Sequence, residues 1–266
     1  MKTVCQSFHL LGSFFAQRAK ASMAYRSDFF ISTVSTVAFG VMNISLLYAI
    51  CSRIPTLLGW SFNELLLIYG LGELNFGVFA MFFTFLYGVP SLYIVEGKLD
   101  QKLTRPVPIY LQLAAEGFNF KDIIIVAKGV GIVIYAATAL SLDISFSQSL
   151  MIALFCMSAV AIYASVFTIF ASLSFWVIDR SGFFSPLFPI SDFSRFPVTI
   201  YPLGIRLFLT WVIPFAFVAF YPATAILDRG EFLNMAGLAP LVSLAFVLVA
   251  SRIWKAGLAR YESTGT

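Results

Sequence analysis

The sequence predicts an all-α, polytopic membrane protein, and its apolar content leads to that fold class. Six apolar stretches fill most of the 266 residues, 60% of the chain is hydrophobic, and mean hydropathy is +0.90. A run of about 20 apolar residues spans a hydrocarbon core of about 30 Å. Because lipid offers backbone groups no hydrogen-bond partner, each run is expected to be a helix. We place the spans at about 29–51, 65–93, 121–141, 148–178, 205–224 and 238–256.

Lysine and arginine gather on one side of these spans. With the N-terminus inside, the inner segments carry fourteen of them, including Arg180, Arg195 and Arg206, whereas the outer loops carry only Arg53 and Arg229. Because positive residues are enriched in cytoplasmic loops, we expect both termini in the cytosol. The pI near 9.0 then reflects topology, and no basic patch interleaved with aromatic residues predicts nucleic-acid binding.

Residues 1–28 precede the six-helix transmembrane domain, which we assign to 29–266. Within residues 6–26, apolar side chains recur every three or four positions, with polar ones opposite. This pattern predicts an amphipathic helix on the cytosolic membrane surface, with Arg18 and Lys20 reaching anionic lipid. A solvated leader helix is the alternative. We expect neither a cleavable signal peptide nor a disulfide or metal framework from Cys5, Cys51 and Cys156.

A charged inner loop follows the second span and suggests a docking element for a soluble partner. Leu99 and Leu103 are predicted to share one helical face, and Lys98 and Lys102 a neighbouring one. The proline after Arg105 ends the turn. A short cytosolic helix with an apolar ridge suits docking, and a solvated connector is the alternative. The candidate coupling residues are Glu96, Lys98, Leu99, Asp100, Lys102, Leu103 and Arg105.

The segment 179–204 combines four prolines with five phenylalanines. Prolines at 186, 189, 197 and 202 exclude one continuous helix. We therefore expect broken interfacial pieces at the cytosolic surface, with a re-entrant excursion as the alternative. Pro214 and Pro222 are expected to kink the fifth span.

Two charges lie deeper inside the predicted spans than any others. Glu73 lies roughly 13 Å from the outer end of span two, and Lys128 roughly 10 Å from the cytosolic surface. Intramembrane charges tend to face a bundle interior. For Lys128 the favoured interpretation is snorkelling to the cytosol, with an ion pair to Glu73 or a transport role as alternatives. For Glu73 we expect a hydrogen bond to Asn75 or Asn43.

Several catalytic motifs are absent from the sequence. The Gly97-Lys98 dipeptide is followed by Leu99 and lacks the earlier glycine of a GxxxxGK[ST] phosphate loop. The single histidine, His9, excludes an HExxH metal site. No carboxylate cluster of the DDxxD type is present. We therefore expect no catalysis by this chain, and no cofactor or metal on it.

The arrangement resembles the ABC-2 type family of ABC-transporter permeases, in a poorly characterised bacterial branch. The similarity rests on an N-terminal interfacial helix, six spans with both ends inside and a charged helix after span two. The sequence segments that carry it are GKLDQKLTRP (97–106), DFSRFPVTIYP (192–202), IPFAFVAFYP (213–222) and GLARYESTG (257–265).

This resemblance implies a six-helix bundle of the type V-like exporter class in a bacterial cytoplasmic membrane. The chain would form half of a translocation pathway, paired with itself or a sister permease. A cytosolic ABC ATPase dimer, binding ATP and Mg²⁺, would supply energy through a coupling helix at 96–105. The family also carries an outer re-entrant stretch between its last two spans, for which residues 225–237 are short. An ion-coupled carrier using Glu73 and Lys128, or a non-transporting scaffold, remain the alternatives.

Overall fold

The computed structural model describes residues 26–54, 56–177 and 186–262. This part of the chain is helical and contains no strand, with one isolated bridge between Leu57 and Trp60. The all-α fold class is therefore confirmed. The interfacial helix predicted for residues 1–28 lies outside the described residues, apart from the last three positions, which begin the first helix.

Eleven α-helices occur in the described residues, several of them extended by 3-10 or π turns. In chain order they are α1 (Arg26–Cys51), α2 (Phe62–Phe83), α3 (Asp100–Leu103), α4 (Ile109–Glu116), α5 (Ile123–Ala139), α6 (Phe146–Leu173), α7 (Leu187–Asp192), α8 (Leu203–Leu207), α9 (Phe220–Ile226), α10 (Leu233–Gly237) and α11 (Ala239–Arg260). Helix α2 continues as a 3-10 turn, Thr84–Gly88, and a π turn, Val89–Val95. The five helices long and apolar enough to cross a membrane include α1, α2, α5, α6 and α11, which overlap the predicted spans one to four and six.

Two capping boxes fix where α2 and α6 begin. The backbone N–H of Ser61 donates to the Glu64 carboxylate (2.8 Å), and Glu64 N–H donates to the Ser61 hydroxyl. Ser145 and Gln148 repeat this exchange at the start of α6. Such reciprocal bonds satisfy otherwise unpaired backbone donors. Both helices start at the same end of the bundle, which we call the Trp60 face; the opposite end is the Lys102 face.

Glycines let α2 and α5 approach closely. A Cβ on Gly129 would lie 2.4 Å from the Leu74 backbone nitrogen, and one on Gly77 would lie 2.8 Å from that of Val126. Small residues are the usual means of close packing between membrane helices. Gly131, two positions beyond Gly129, instead faces open space.

The segment after α6 returns through the bundle alongside α2. Its side chains meet successive levels of the bundle, running from the Lys102 face to the Trp60 face. The contacts in order are Phe188 with Tyr87, Ser194 with Tyr163, Arg195 with Glu73, Phe196 with Tyr69, and Thr199 with Trp60. Residues 187–200 therefore cross the bundle, although they were predicted to lie at the cytosolic surface.

The predicted fifth span, 205–224, is bent. Leu203–Val212 and Phe215–Ile226 meet at 77° around Pro214. The Phe215 ring lies 5.1 Å from that of Tyr163, deep in the bundle, whereas Arg206 lies over Phe232 near the Trp60 face.

The continuation of this bent pair also returns to the Trp60 face. There, Arg229 donates to the backbone oxygen of Gly59 (3.1 Å). The pair thus enters and leaves the bundle at one face, as a re-entrant element. The fifth crossing of the bundle is made by residues 187–200 and not by the predicted span 205–224. The physical reason is the proline, which removes a backbone donor and breaks the helix where a straight span would have to continue.

Candidate functional site

The charged loop predicted as a coupling element lies at the Lys102 face. It begins at Glu96, turns at Gly97 with φ of +71°, and forms the single helical turn α3. A positive φ is readily adopted by glycine because it has no Cβ. A proline-containing turn then leads into α4.

The predicted apolar ridge of Leu99 and Leu103 does not form. Helix α3 starts only at Asp100, and Leu99 points into the core with 1% of its surface exposed. Its backbone N–H donates to the Tyr93 oxygen (3.1 Å), which holds this inward turn. Leu103 is 48% exposed. Of the two leucines, only Leu103 is available to a partner.

Lys102 is also turned inward, although it was predicted to share one helical face with Lys98. Its ammonium group pairs with the Glu116 carboxylate at the end of α4, and Arg105 Nη1 lies 3.7 Å from the same oxygen. Gln112 donates to the backbone oxygens of Lys102 (3.1 Å) and Val107 (2.7 Å). These bonds fasten α3 to α4.

Sequence reasoning missed Glu116 and Gln112, because both lie on the next helix. Glu116 could have been found from its charge, since it is an acidic residue close in sequence to the basic loop at 96–105.

The remaining coupling candidates form the surface of the loop. Lys98 and Glu96 pair at 3.1 Å, with about half of each side chain exposed. Arg105 is likewise exposed. Asp100 lies near Tyr261, just beyond α11; burial and this neighbouring carboxyl raise the pKa of the Tyr261 phenol to about 12. The C-terminal end of α11 therefore lies next to the loop.

Helix α4 connects this loop to the membrane helices. The Tyr110 hydroxyl lies 2.9 Å from that of Thr168 on α6, and its ring meets Trp254 of α11 edge-on at 5.4 Å. Burial raises the pKa of Tyr110 to about 12. A Cβ on Gly117 would lie 2.4 Å from Cβ of Phe85. A displacement of the loop would therefore press on α6, α11 and the end of α2.

A second group of charges lies inside the bundle. Glu73 is 2% exposed, and its two carboxylate oxygens lie 2.7 Å from Lys128 Nζ and 3.1 Å from Arg195 Nη1. Arg195 Nη1 also lies 2.9 Å from Asp192. The negative charges of Glu73 and Asp192 thus balance the positive charges of Lys128 and Arg195. These side chains come from α2, α5 and the segment 187–200.

The structure has the ion pair between Lys128 and Glu73 in place of the snorkelling that the sequence favoured. The Lys128 ammonium group also lies 3.4 Å from the backbone oxygen of Thr36 on α1. Its stem runs against Gly40, where an added Cβ would lie 2.7 Å from Cδ. Snorkelling does not occur because a buried carboxylate lies within reach.

The amides expected to bond Glu73 have other partners. Asn75 donates to the backbone oxygen of Val218 in the re-entrant element (2.8 Å). Asn43 donates to the backbone oxygen of Phe39, one turn earlier on α1. Asn75 faces a different neighbour from Glu73 because residues two apart on a helix point in different directions.

Arg195 was missed as an intramembrane residue, because its segment was predicted to lie outside the bundle. Gly72 makes room for it, since a Cβ there would lie 2.9 Å from Arg195 Cγ. The guanidinium also lies 5.0 Å from the centre of the Phe76 ring. Within the ranges that the structure describes, no three His, Cys, Asp or Glu residues are grouped to hold a metal ion.

A bundle of helices long and apolar enough to cross a membrane defines the chain as a polytopic membrane protein. The chain belongs to the family described as ABC-2 family transporter protein, whose model matches residues 37–265. No curated protein and no solved structure matches the chain. The resemblance noted from its motifs is thereby confirmed, and the protein is a membrane component of a transport system.

Proposed function

We propose that this chain is the permease subunit of an ATP-driven exporter in a bacterial cytoplasmic membrane. It forms half of the translocation pathway together with a second permease, either another copy or a sister chain. A cytosolic ABC ATPase dimer binds ATP and Mg²⁺ and supplies the energy. The permease carries no catalytic residues of its own.

The observation that carries this proposal is the construction of the loop at 96–105. Lys102 and Leu99 fix it to the bundle, while Glu96, Lys98, Leu103 and Arg105 remain at its surface. An exposed leucine among charges suits a groove on a soluble partner. The anchoring supports force transmission, because a loop that merely connected two spans would need no largely buried ion pair.

The distribution of positive charge supports a cytosolic Lys102 face. Arg195 and Arg206 were counted from the sequence among the inner positive residues. In the structure Arg195 lies within the bundle and Arg206 near the Trp60 face, so neither counts as inner. Twelve lysines and arginines then remain on the inner side against three outside, counted by position in the chain. The positive-inside rule still favours cytosolic termini.

Mechanistically, closure of the ATPases pushes the loop toward the membrane. Tyr110 passes this push to Thr168 and Trp254, and hence to α6 and α11. Rocking of these helices against the partner permease then changes which side of the membrane the shared pathway faces. This is the alternation that ATP-driven export requires.

Co-purification with the ATPase tests the proposal. Leu103→Asp places a charge on the exposed leucine and should abolish association while leaving expression and folding unchanged. Leu58→Asp is the matched control, since Leu58 is 68% exposed at the opposite face. Unaltered association of Leu103→Asp, or substrate flux by the chain in a pH gradient without any ATPase, would overturn the proposal.

A further inference from the structure

Two cavities meet at Lys128, between α1 on one side and α2 and α5 on the other. The first has a volume of about 240 Å³, and most of its lining residues are polar or charged, including Glu73, Lys128 and Arg195. The second has a volume of about 640 Å³ and lies toward the Trp60 face. Together they form a polar compartment next to a larger apolar one.

Two cations and one carboxylate are among the residues that line the polar compartment. Lys128 and Arg195 line it with Glu73 as the opposing carboxylate, while Asp192 lies outside the lining with 60% of its side chain exposed. The Tyr69 hydroxyl is buried beside the Glu73 carboxylate, and Arg195 Nε finds no acceptor among the described residues. A buried donor without a partner is costly, and a bound anion would satisfy it.

The apolar compartment suits a hydrocarbon chain. It is lined mainly by aliphatic and aromatic side chains, including Ile44, Phe62, Leu66 and Ile132. Gly131 also lines it, and a Cβ added there meets no atom within 4 Å. The groove is therefore open where α5 would otherwise present a side chain.

We propose that these compartments form one binding site for an amphipathic anion, with a phosphate or carboxylate head beside Lys128 and Arg195 and an apolar chain along Gly131. Glu73 lies roughly 16 Å along α2 from its first residue, near the middle of a core about 30 Å thick. A lipid at rest keeps its head group at the membrane surface. An anionic head at this depth therefore belongs to a molecule being moved, which makes such an amphipath the cargo class; this last step rests on the proposed function.

Binding of monododecyl phosphate to the purified permease, counted by native mass spectrometry, tests the site directly. Inorganic phosphate supplies the head alone, and dodecyl maltoside supplies the chain without charge. We expect one saturable monododecyl phosphate per permease, with the other two probes binding at least about tenfold more weakly, a difference that native titration resolves. Equal binding of the neutral and the anionic amphipath would overturn the proposal.

Two variants test the compartments separately. Lys128→Met removes one cation yet leaves Arg195 paired with Glu73, and Gly131→Leu fills the apolar groove without a clash. Each should weaken monododecyl phosphate binding about tenfold or more. Gly237→Leu, at another glycine with open space around it, should bind as the unaltered chain does. Wild-type affinity in the folded Gly131→Leu variant would overturn the site even if Lys128→Met proved unstable.

This assay needs no ATPase, so its result is separable from that of the proposed function. Specific binding without ATPase association would support the site and remove its interpretation as a cargo site. ATPase association without specific binding would leave the exporter proposal standing and overturn the site.

Discussion

The Arg195 guanidinium lies 3.1 Å from the Glu73 carboxylate, and this contact ties the fifth crossing to α2. Lys128 approaches the other carboxylate oxygen from α5, so one buried acid joins three segments of the bundle. Charges removed from water cost several kcal/mol each unless they are paired. The group of four charges around Glu73 therefore holds these segments in one arrangement.

Replacing Glu73 by Gln should destabilise the protein more than replacing Lys128 by Met. Glu73→Gln leaves Lys128 without a carboxylate, and breaking such a buried pair typically costs about 3–5 kcal/mol. Lys128→Met leaves Glu73 in contact with Arg195 and should cost less. The free energy of unfolding in detergent measures both. An equal or smaller loss for Glu73→Gln would contradict a central role for this carboxylate.

Gly129→Ala should weaken the packing of α2 against α5. The added methyl group would press on the Leu74 backbone, which cannot move aside as a flexible side chain would. Overpacking of this kind costs about 1–3 kcal/mol. Gly131→Ala on the same helix meets open space and is the control, expected to be neutral or slightly stabilising. Melting temperatures that fall equally in both variants would count against the close α2–α5 contact.

Cysteine labelling should place residue 203 on the same side of the membrane as residue 58. Leu203 is 69% exposed and follows the crossing at 187–200, whereas the sequence alone puts it on the inner side. In a variant without the native cysteines, Leu203→Cys and Leu58→Cys should react with an impermeant maleimide from one side. Lys98→Cys should react from the other. Labelling of Leu203→Cys together with Lys98→Cys would restore the sequence-based topology.

Glu116→Gln should loosen the loop at the Lys102 face. Lys102 is nearly buried and would lose its carboxylate partner, at a cost of about 1–3 kcal/mol. Glu96→Gln removes a half-exposed pair with Lys98, worth about 0–1 kcal/mol, and serves as the control. Hydrogen exchange across 96–116 should increase for Glu116→Gln alone. Equal exchange in the two variants would show that the Lys102–Glu116 pair does not anchor the loop.

The charged loop at 96–105 shows the limit of prediction from sequence periodicity. The charges and the turn-ending proline after Arg105 predicted a short helix followed by a break, and α3 is such a helix. The directions in which the Leu99 and Lys102 side chains point could not be predicted, because a single helical turn is too short to show a hydrophobic period. Their direction depends on Glu116 and the core, which lie elsewhere in the chain.

By itself, the sequence determined the membrane class, the all-α fold and the positions of five long spans, because the transfer of an apolar segment into lipid depends on its own composition. The family could also be read from its motifs. Only the tertiary structure decided that 187–200 crosses the bundle while 203–226 enters and returns. Both stretches are rich in phenylalanine and proline, so their hydropathy does not separate them. The pairing of Glu73 with Lys128 and Arg195 was likewise decided by which helices lie side by side, and that neighbourhood is a property of the packed bundle.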